Sequence, residues 1–115
     1  MKTSEILELD YREPSDKRTI QKVLKQIGPL SKHNGDEVPV RLLERCMQVL
    51  SRKYDFVVSI HLDPQSNKDT PIWRCSVIRY GQSVTAGTNV WGTSVYEVLA
   101  KANIVMYSVS RRQAK

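Results

Sequence analysis

The chain has 115 residues, of which 40% are hydrophobic and 26% are charged, a balance that excludes a disordered or collagen-like chain. Lys and Arg number 18 against 12 Asp and Glu, and the whole excess of six positive charges falls in residues 38–115. No apolar run approaches the roughly 20 residues that a membrane span requires, so no membrane association is expected.

The N-terminal third is predicted to contain one helix. Residues 1–13 carry four acids against two bases and are predicted to form an acidic N-terminal arm. A helix is predicted over residues 16–27, with Ser15 as its N-cap, because apolar residues recur there at i, i+3, i+4 and i+7. These residues are Ile20, Val23, Leu24 and Ile27. Gly28 is expected to end the helix by adopting a left-handed conformation directly after the last turn. The segment 14–38 is therefore predicted to contain this helix and the connector that follows it.

A second helix and three strands are predicted next. The helix covers residues 39–53 and begins at Pro39, which suits a first helical turn. Its apolar stripe consists of Leu42, Leu43, Cys46, Met47, Leu50 and Tyr54. The hydrophobic period then changes to two, which indicates strands, with Gly81-Gln82 as a two-residue hairpin turn.

The alternation along the strands assigns each side chain to one of two sheet faces. The predicted core face carries Phe56, Val58, Ile60, Trp73, Cys75, Val77, Val84 and Ala86. The opposite face carries Ser59, His61, Arg74, Ser76, Ile78, Tyr80 and Trp91. This second face mixes polar and large apolar residues, which is unusual for a face that only meets water.

The last predicted element is a helix over residues 95–111. Ser94 and Glu97 have the spacing of a capping box, in which each side chain satisfies a backbone N–H of the other. Besides its main apolar stripe, the helix has a second stripe of Tyr96, Ala100, Asn103 and Tyr107. The order α-α-β-β-β-α predicts an α+β fold, a three-stranded antiparallel meander with helices packed on one face. We expect one domain over residues 1–115, with its core in residues 39–115.

No motif in the sequence identifies an enzyme. The segment from Gly87 to Ser94 has the two glycines of a phosphate-binding loop but lacks its lysine. Cys46 and Cys75 fall on predicted core stripes and are expected to be buried free thiols in a reducing cytoplasm. No cysteine or histidine pair has metal-ligand spacing. We therefore expect no catalytic residue, no metal and no cofactor.

Two function classes remain, and the first is protein binding. A three-stranded sheet has one face to cover, whereas the last helix offers two apolar stripes and the opposite sheet face carries large apolar residues. The candidate interface consists of Arg74, Ile78, Tyr80, Trp91, Tyr96 and Tyr107. Aromatic residues together with Arg are enriched at the centres of protein interfaces. This pattern favours a protein partner or a homodimer, unless the N-terminal segment folds over the surface.

The alternative is nucleic-acid binding. Two predicted helices carry basic residues on their polar faces, and the candidate phosphate contacts are Arg41, Arg45, Arg52, Lys22 and Lys25. Tyr80 and Trp91 would then stack on bases. Basic residues on the polar face of a helix are also common in proteins where they contact only water, so this pattern alone does not indicate nucleic-acid binding.

Two families share the order predicted from residue 39 onward. The double-stranded-RNA-binding domain is similar in topology, but the lysine cluster that opens its final helix is absent here. Residues 39–109 more closely resemble the phage ABA sandwich domain, in the pair Leu43-Glu44, the Trp-containing run 72–77 and the run 100–102. This resemblance implies a phage or mobile-element accessory protein in the cytoplasm of a bacterial host, and it implies no catalytic residues.

Overall fold

A computed structural model describes residues 2–66, 71–81 and 87–113 of the protein. The elements in these ranges are α1 (Thr3–Leu7), α2 (Pro14–Leu24), a 3-10 helix (Gly28–Leu30), α3 (Val40–Tyr54), β1 (Phe56–Leu62), β2 (Trp73–Arg79), β3 (Thr88–Gly92) and α4 (Val95–Gln113). The strands form an antiparallel meander in the order β1-β2-β3, and α4 packs across the sheet. The predicted α+β class and element order are confirmed, with α1 and the 3-10 helix as additions.

The N-terminal segment is packed on the fold rather than extended as an arm. It contains α1, whose Ile6 is buried and whose Thr3 hydroxyl donates a 3.0 Å hydrogen bond to Ser108 on α4. Its two apolar residues, Ile6 and Leu7, are adjacent and give no helical period, so the sequence pattern does not reveal this helix.

Both ends of α2 differ from the prediction. The helix begins at Pro14, with Glu13 at the N-cap position, so Ser15 lies inside the first turn. Proline suits the first helical position because it has no N–H to leave unpaired. The helix ends at Leu24. After it, the amide of Gln26 donates to the carbonyl of Val23 and the amide of Ile27 donates to the carbonyl of Leu24, three residues back instead of four. Gly28 has no positive φ and begins the 3-10 helix instead.

Helix α3 follows the prediction to within one residue at each end. Pro39 occupies its N-cap position, and Leu43, Cys46 and Leu50 of the predicted stripe are buried. The helix ends at Tyr54, and the next residue, Asp55, adopts a left-handed conformation with φ of 58°. Asp tolerates this conformation better than most residues, and the sharp turn leads directly into β1.

The strand register confirms most of the predicted core face. Cys75, Val77 and Val90 are buried on the helical side of the sheet, and Phe56 is buried where β1 begins. Gly81 has the predicted positive φ, of 86°. Gln82, Val84 and Ala86 lie outside the described residues.

Ile60 is wrongly predicted as a core residue. It lies on the helical side of the sheet, opposite Cys75, yet it is 36% exposed, and Leu62 at the end of the same strand is 50% exposed. The reason is the position of the helices. Helix α4 packs mainly over β2 and β3, and α3 packs against β1 next to the turn that joins them. The second half of β1, with Ile60 and Leu62 exposed, is therefore covered less than its start, where Phe56 is buried.

Candidate functional site

The side of the sheet away from the helices forms one continuous surface, which we call the open sheet face. The register places on it Val57, Ser59, His61, Arg74, Ser76, Ile78, Asn89 and Trp91. None of these side chains is buried. The predicted opposite face is thus confirmed as a shared surface, with Val57 and Asn89 as additional members.

Trp91 is the largest residue on the open sheet face, and its position is fixed by Arg74. The guanidinium carbon of Arg74 lies 4.0 Å from the centre of the Trp91 ring, and the indole is 43% exposed. Arg74 in turn donates a 3.1 Å hydrogen bond to the buried carboxylate of Asp63. A cation over an aromatic ring stabilises an exposed pair by about 0.5–1 kcal/mol. The indole is therefore held in one orientation on the surface.

Asp63 is itself held by the loop that follows β1. Its amide donates to the carbonyl of Ile72, and its carboxylate accepts a hydrogen bond from the amide of Gln65. The chain Asp63–Arg74–Trp91 therefore runs from a braced loop to the surface indole. Such pre-organisation lowers the ordering cost of an interface anchor.

Tyr80 and Ile78 extend the open sheet face toward the β2–β3 turn. Tyr80 is 81% exposed, while its amide donates a 2.7 Å hydrogen bond to the carbonyl of Asp55. Ile78 pairs across the sheet with Val57, which is also exposed. Of the six predicted interface residues, Arg74, Ile78 and Trp91 thus lie on the open sheet face, and Tyr80 is exposed directly after β2.

Tyr96 and Tyr107 do not belong to this surface. Both lie on the second apolar stripe of α4, where Ala100 and Asn103 are fully buried because α1, α2 and α3 pack against this helix. Tyr107 lines a groove of about 720 Å³ between the helices. The other residues of this groove include Ile6, Lys22, Val23, Ile27, Ile104 and Arg111. The excess apolar surface predicted for the last helix is therefore mostly covered by the N-terminal helices.

Tyr96 takes part in a buried polar cluster around Gln21. The Gln21 amide nitrogen donates 2.8 Å hydrogen bonds to the hydroxyls of Tyr11 and Tyr96, and its oxygen accepts one from the amide of Val38. The Tyr96 hydroxyl donates to the carbonyl of Val38, and that of Tyr11 donates to Glu37. Burial raises the pKa of both phenols, which keeps them protonated as donors. The cluster joins α2, α4 and the segment before α3.

A second buried cluster contains an ion pair that sequence reasoning missed. Lys101 and Glu97 face each other one turn apart on α4, with 2.7 Å between Nζ and Oε2 and almost no exposure of either side chain. The ammonium also donates to the carbonyls of Leu9, at 2.7 Å, and Trp91, at 3.0 Å. All three ammonium protons are used, so the pair links the N-terminal segment, β3 and α4.

The predicted capping box is only half correct. Ser94 accepts a hydrogen bond from the amide of Glu97, as expected. The Glu97 carboxylate, however, accepts hydrogen bonds from Thr93 and from the amide of Tyr11 and contacts Lys101, so it does not return to Ser94. A Cβ at Gly92 would lie 2.8 Å from Glu97 Cγ, which explains why glycine precedes this site. The available signal was a Glu–Lys pair at i, i+4 outside both apolar stripes of the helix, a pattern that predicts an exposed pair.

The predicted phosphate contacts lie on the helical side of the sheet. Helix α3 exposes Arg41, Arg45 and Arg52. Helix α2 exposes Lys22, and Lys25 directly follows the end of that helix. Helices α2 and α3 are not in extensive contact; each packs on α4 instead. The structure therefore does not merge the two basic stripes, and it separates them from the aromatic residues of the open sheet face.

The remaining chemistry-bearing residues are isolated. Cys46 and Cys75 are buried free thiols, and burial raises their pKa to about 11 and about 12. Within residues 2–66, 71–81 and 87–113, no three His, Cys, Asp or Glu side chains are grouped as metal ligands. In the same part of the chain, none of the helices has the length and hydrophobicity that crossing a bilayer requires.

Comparison of the chain with protein-family models, with curated proteins and with solved structures finds no match. The resemblance of residues 39–109 to the phage ABA sandwich domain therefore stays a hypothesis.

Proposed function

We propose that the protein is a small non-enzymatic interaction module that docks on a protein partner or on a second copy of itself through the sheet. The observation that carries this proposal is the exposed indole of Trp91, held in place by Arg74 on a face with no buried side chain. Rigid aromatic anchors next to Arg are the residues that contribute most to protein interfaces. The proposal includes a phage or mobile-element origin and a cytoplasmic setting in a bacterial host.

Nucleic-acid binding is the second candidate, because Arg74 and Trp91 share one side of the sheet, the exposed Tyr80 follows directly after β2, and these side chains offer stacking surfaces. The basic helix residues lie on the other side, however, so a single strand cannot contact both sets at once. The geometry therefore favours a protein partner. A salt titration against single- and double-stranded oligonucleotides separates the two candidates. Binding that weakens steeply with salt would favour nucleic acid. Its loss in W91A would place the nucleic acid on the open sheet face, and its loss in R41E/R45E/R52E would place it on α3.

Trp91→Ala tests the proposed function directly. With the variant as bait, capture of protein partners from an extract of the source organism is expected to fall at least about 30-fold, since loss of an anchor costs about 2 kcal/mol or more. Val40→Ala, which shortens a similarly exposed residue on α3, is the matched control and should capture as well as the wild type. Equal capture by W91A and wild type would contradict a docking role for the open sheet face.

A further inference from the structure

Strand β1 is an edge strand without the usual protection. It pairs with β2 over all seven of its residues, and no described strand pairs with its other side. Natural edge strands are usually blocked by Lys, Pro, a bulge or a covering segment. The sequence from Phe56 to Leu62 has no Lys, Arg, Asp, Glu or Pro, and its pairing with β2 has no bulge. Its unpaired backbone groups are therefore free to pair with another strand.

The opposite edge of the sheet differs. Strand β3 has five described residues, and the N-terminal segment lies beside its end, where Lys101 bridges the carbonyls of Leu9 and Trp91. The two edge strands also differ in how far their apolar side chains are covered. Ile60 and Leu62 are exposed on the helical side of β1, whereas Val90 of β3 is buried under α4. The free edge and the uncovered apolar side chains thus coincide on β1.

We propose that a second copy of this chain pairs with β1 through the outer edge, antiparallel and about a two-fold axis at Ser59. This inference rests on the proposed function, of which it specifies the self-docking form. Two three-stranded sheets then become one six-stranded sheet. A two-fold axis perpendicular to the sheet keeps both helical layers on the same side, and the two open sheet faces form one wider surface.

The sequence of β1 suits this register. Centring on Ser59 uses the full strand, with Phe56 opposite Leu62 and Val58 opposite Ile60 on the helical side. On the open face, Val57 lies opposite His61. On the helical side apolar residues therefore meet apolar residues, and on neither side do like charges face each other. The start of β1, where Phe56 is buried, comes to lie beside the exposed Leu62 of the other copy, so the pairing brings the covered part of each strand next to the uncovered part of its partner.

The oligomeric state and two matched variants test the dimer. We expect light scattering to give the mass of two chains at high protein concentration. Ile60→Lys is expected to raise the dimer dissociation constant about 100-fold or more, because the two-fold axis places two ammonium groups, one from each chain, in the pairing surface. Val95→Lys, at a position of nearly equal exposure three residues after β3, should leave the dimer unchanged. Circular dichroism checks the fold, and Leu62→Lys replaces Ile60→Lys if that variant does not fold.

A cysteine introduced at the two-fold axis tests the register. Opposite residues of an antiparallel pair have Cβ atoms about 4.5–5.5 Å apart, so Ser59→Cys is expected to form an intermolecular disulfide on mild oxidation. Asn89→Cys, exposed on β3, should not, and the native Cys46 and Cys75 are buried away from reaction.

A mass of one chain up to about 1 mM would overturn the dimer, since a dissociation constant near that value is already weak. A dimer that persists in I60K and L62K, or one whose S59C variant fails to cross-link, would overturn pairing through β1. In either case the capture test with W91A still decides the proposed function separately.

Discussion

Replacement of Lys101 by Met is expected to lower the free energy of unfolding by about 3–5 kcal/mol. Lys101 is the counter-charge of Glu97, and both side chains are 3% exposed. Without the ammonium, the carboxylate is left buried and uncompensated, and the carbonyls of Leu9 and Trp91 lose a donor. Urea denaturation followed by circular dichroism measures the loss.

Two further variants separate charge burial from general sensitivity. Lys22→Met removes an exposed lysine from α2 and should change the free energy of unfolding by no more than about 0.5 kcal/mol. The double variant E97Q/K101M should recover part of the loss, because removing both charges leaves no unpaired ion. A K101M variant as stable as K22M would contradict the structural role of the ion pair.

Replacement of Gln21 by Met is expected to cost about 2–3 kcal/mol, because it leaves buried donors and acceptors without partners. The change keeps the size of the side chain but removes hydrogen bonds to Tyr11, Tyr96 and the amide of Val38. Thermal and urea unfolding both measure the effect. Gln48→Met, on the exposed face of α3, is the control and should be nearly neutral. If the two variants unfold alike, the cluster does not hold the N-terminal helices in place.

The regular part of the fold could be predicted from the sequence. The apolar stripes of α3 and α4 and the alternation in β1 and β2 follow from periods that a single segment contains. Cys46, Cys75 and Trp91 could be assigned to the correct side in this way. A period shows which side chains share a face, but it does not show how far another element extends over that face. Ile60 was therefore assigned to the core although the helices leave it exposed.

The N-terminal contacts could not be predicted for a related reason. Lys101 bonds to the carbonyl of Leu9, 92 positions earlier in the chain, and Tyr96 bonds to Gln21, 75 positions earlier. Such contacts depend on how α1 and α2 close over α4, which no local pattern encodes. Tyr96 and Tyr107 were consequently predicted as surface residues, although the helices that precede the sheet pack around them.

Lys101 shows what local reasoning can and cannot detect. Lys101 lies outside both apolar stripes of α4, on the side that also carries Glu97 and Ser108, so the helical period predicts an exposed position. Glu97 at i−4 then predicts only an ordinary surface pair. The two carbonyls that complete its coordination come from β3 and the N-terminal segment, so only the folded structure identifies them.

The central claim is that the open sheet face carries aromatic surface that the fold itself does not need. The most direct test is the free energy of unfolding of Trp91→Ala, measured by urea denaturation at a protein concentration where the chain is a monomer. Because Trp91 is 43% exposed and the main partner of its indole is the Arg74 guanidinium, we expect a loss of no more than about 1.5 kcal/mol. A loss of about 3–5 kcal/mol, as for a buried Trp, would show that Trp91 belongs to the core and would contradict the account.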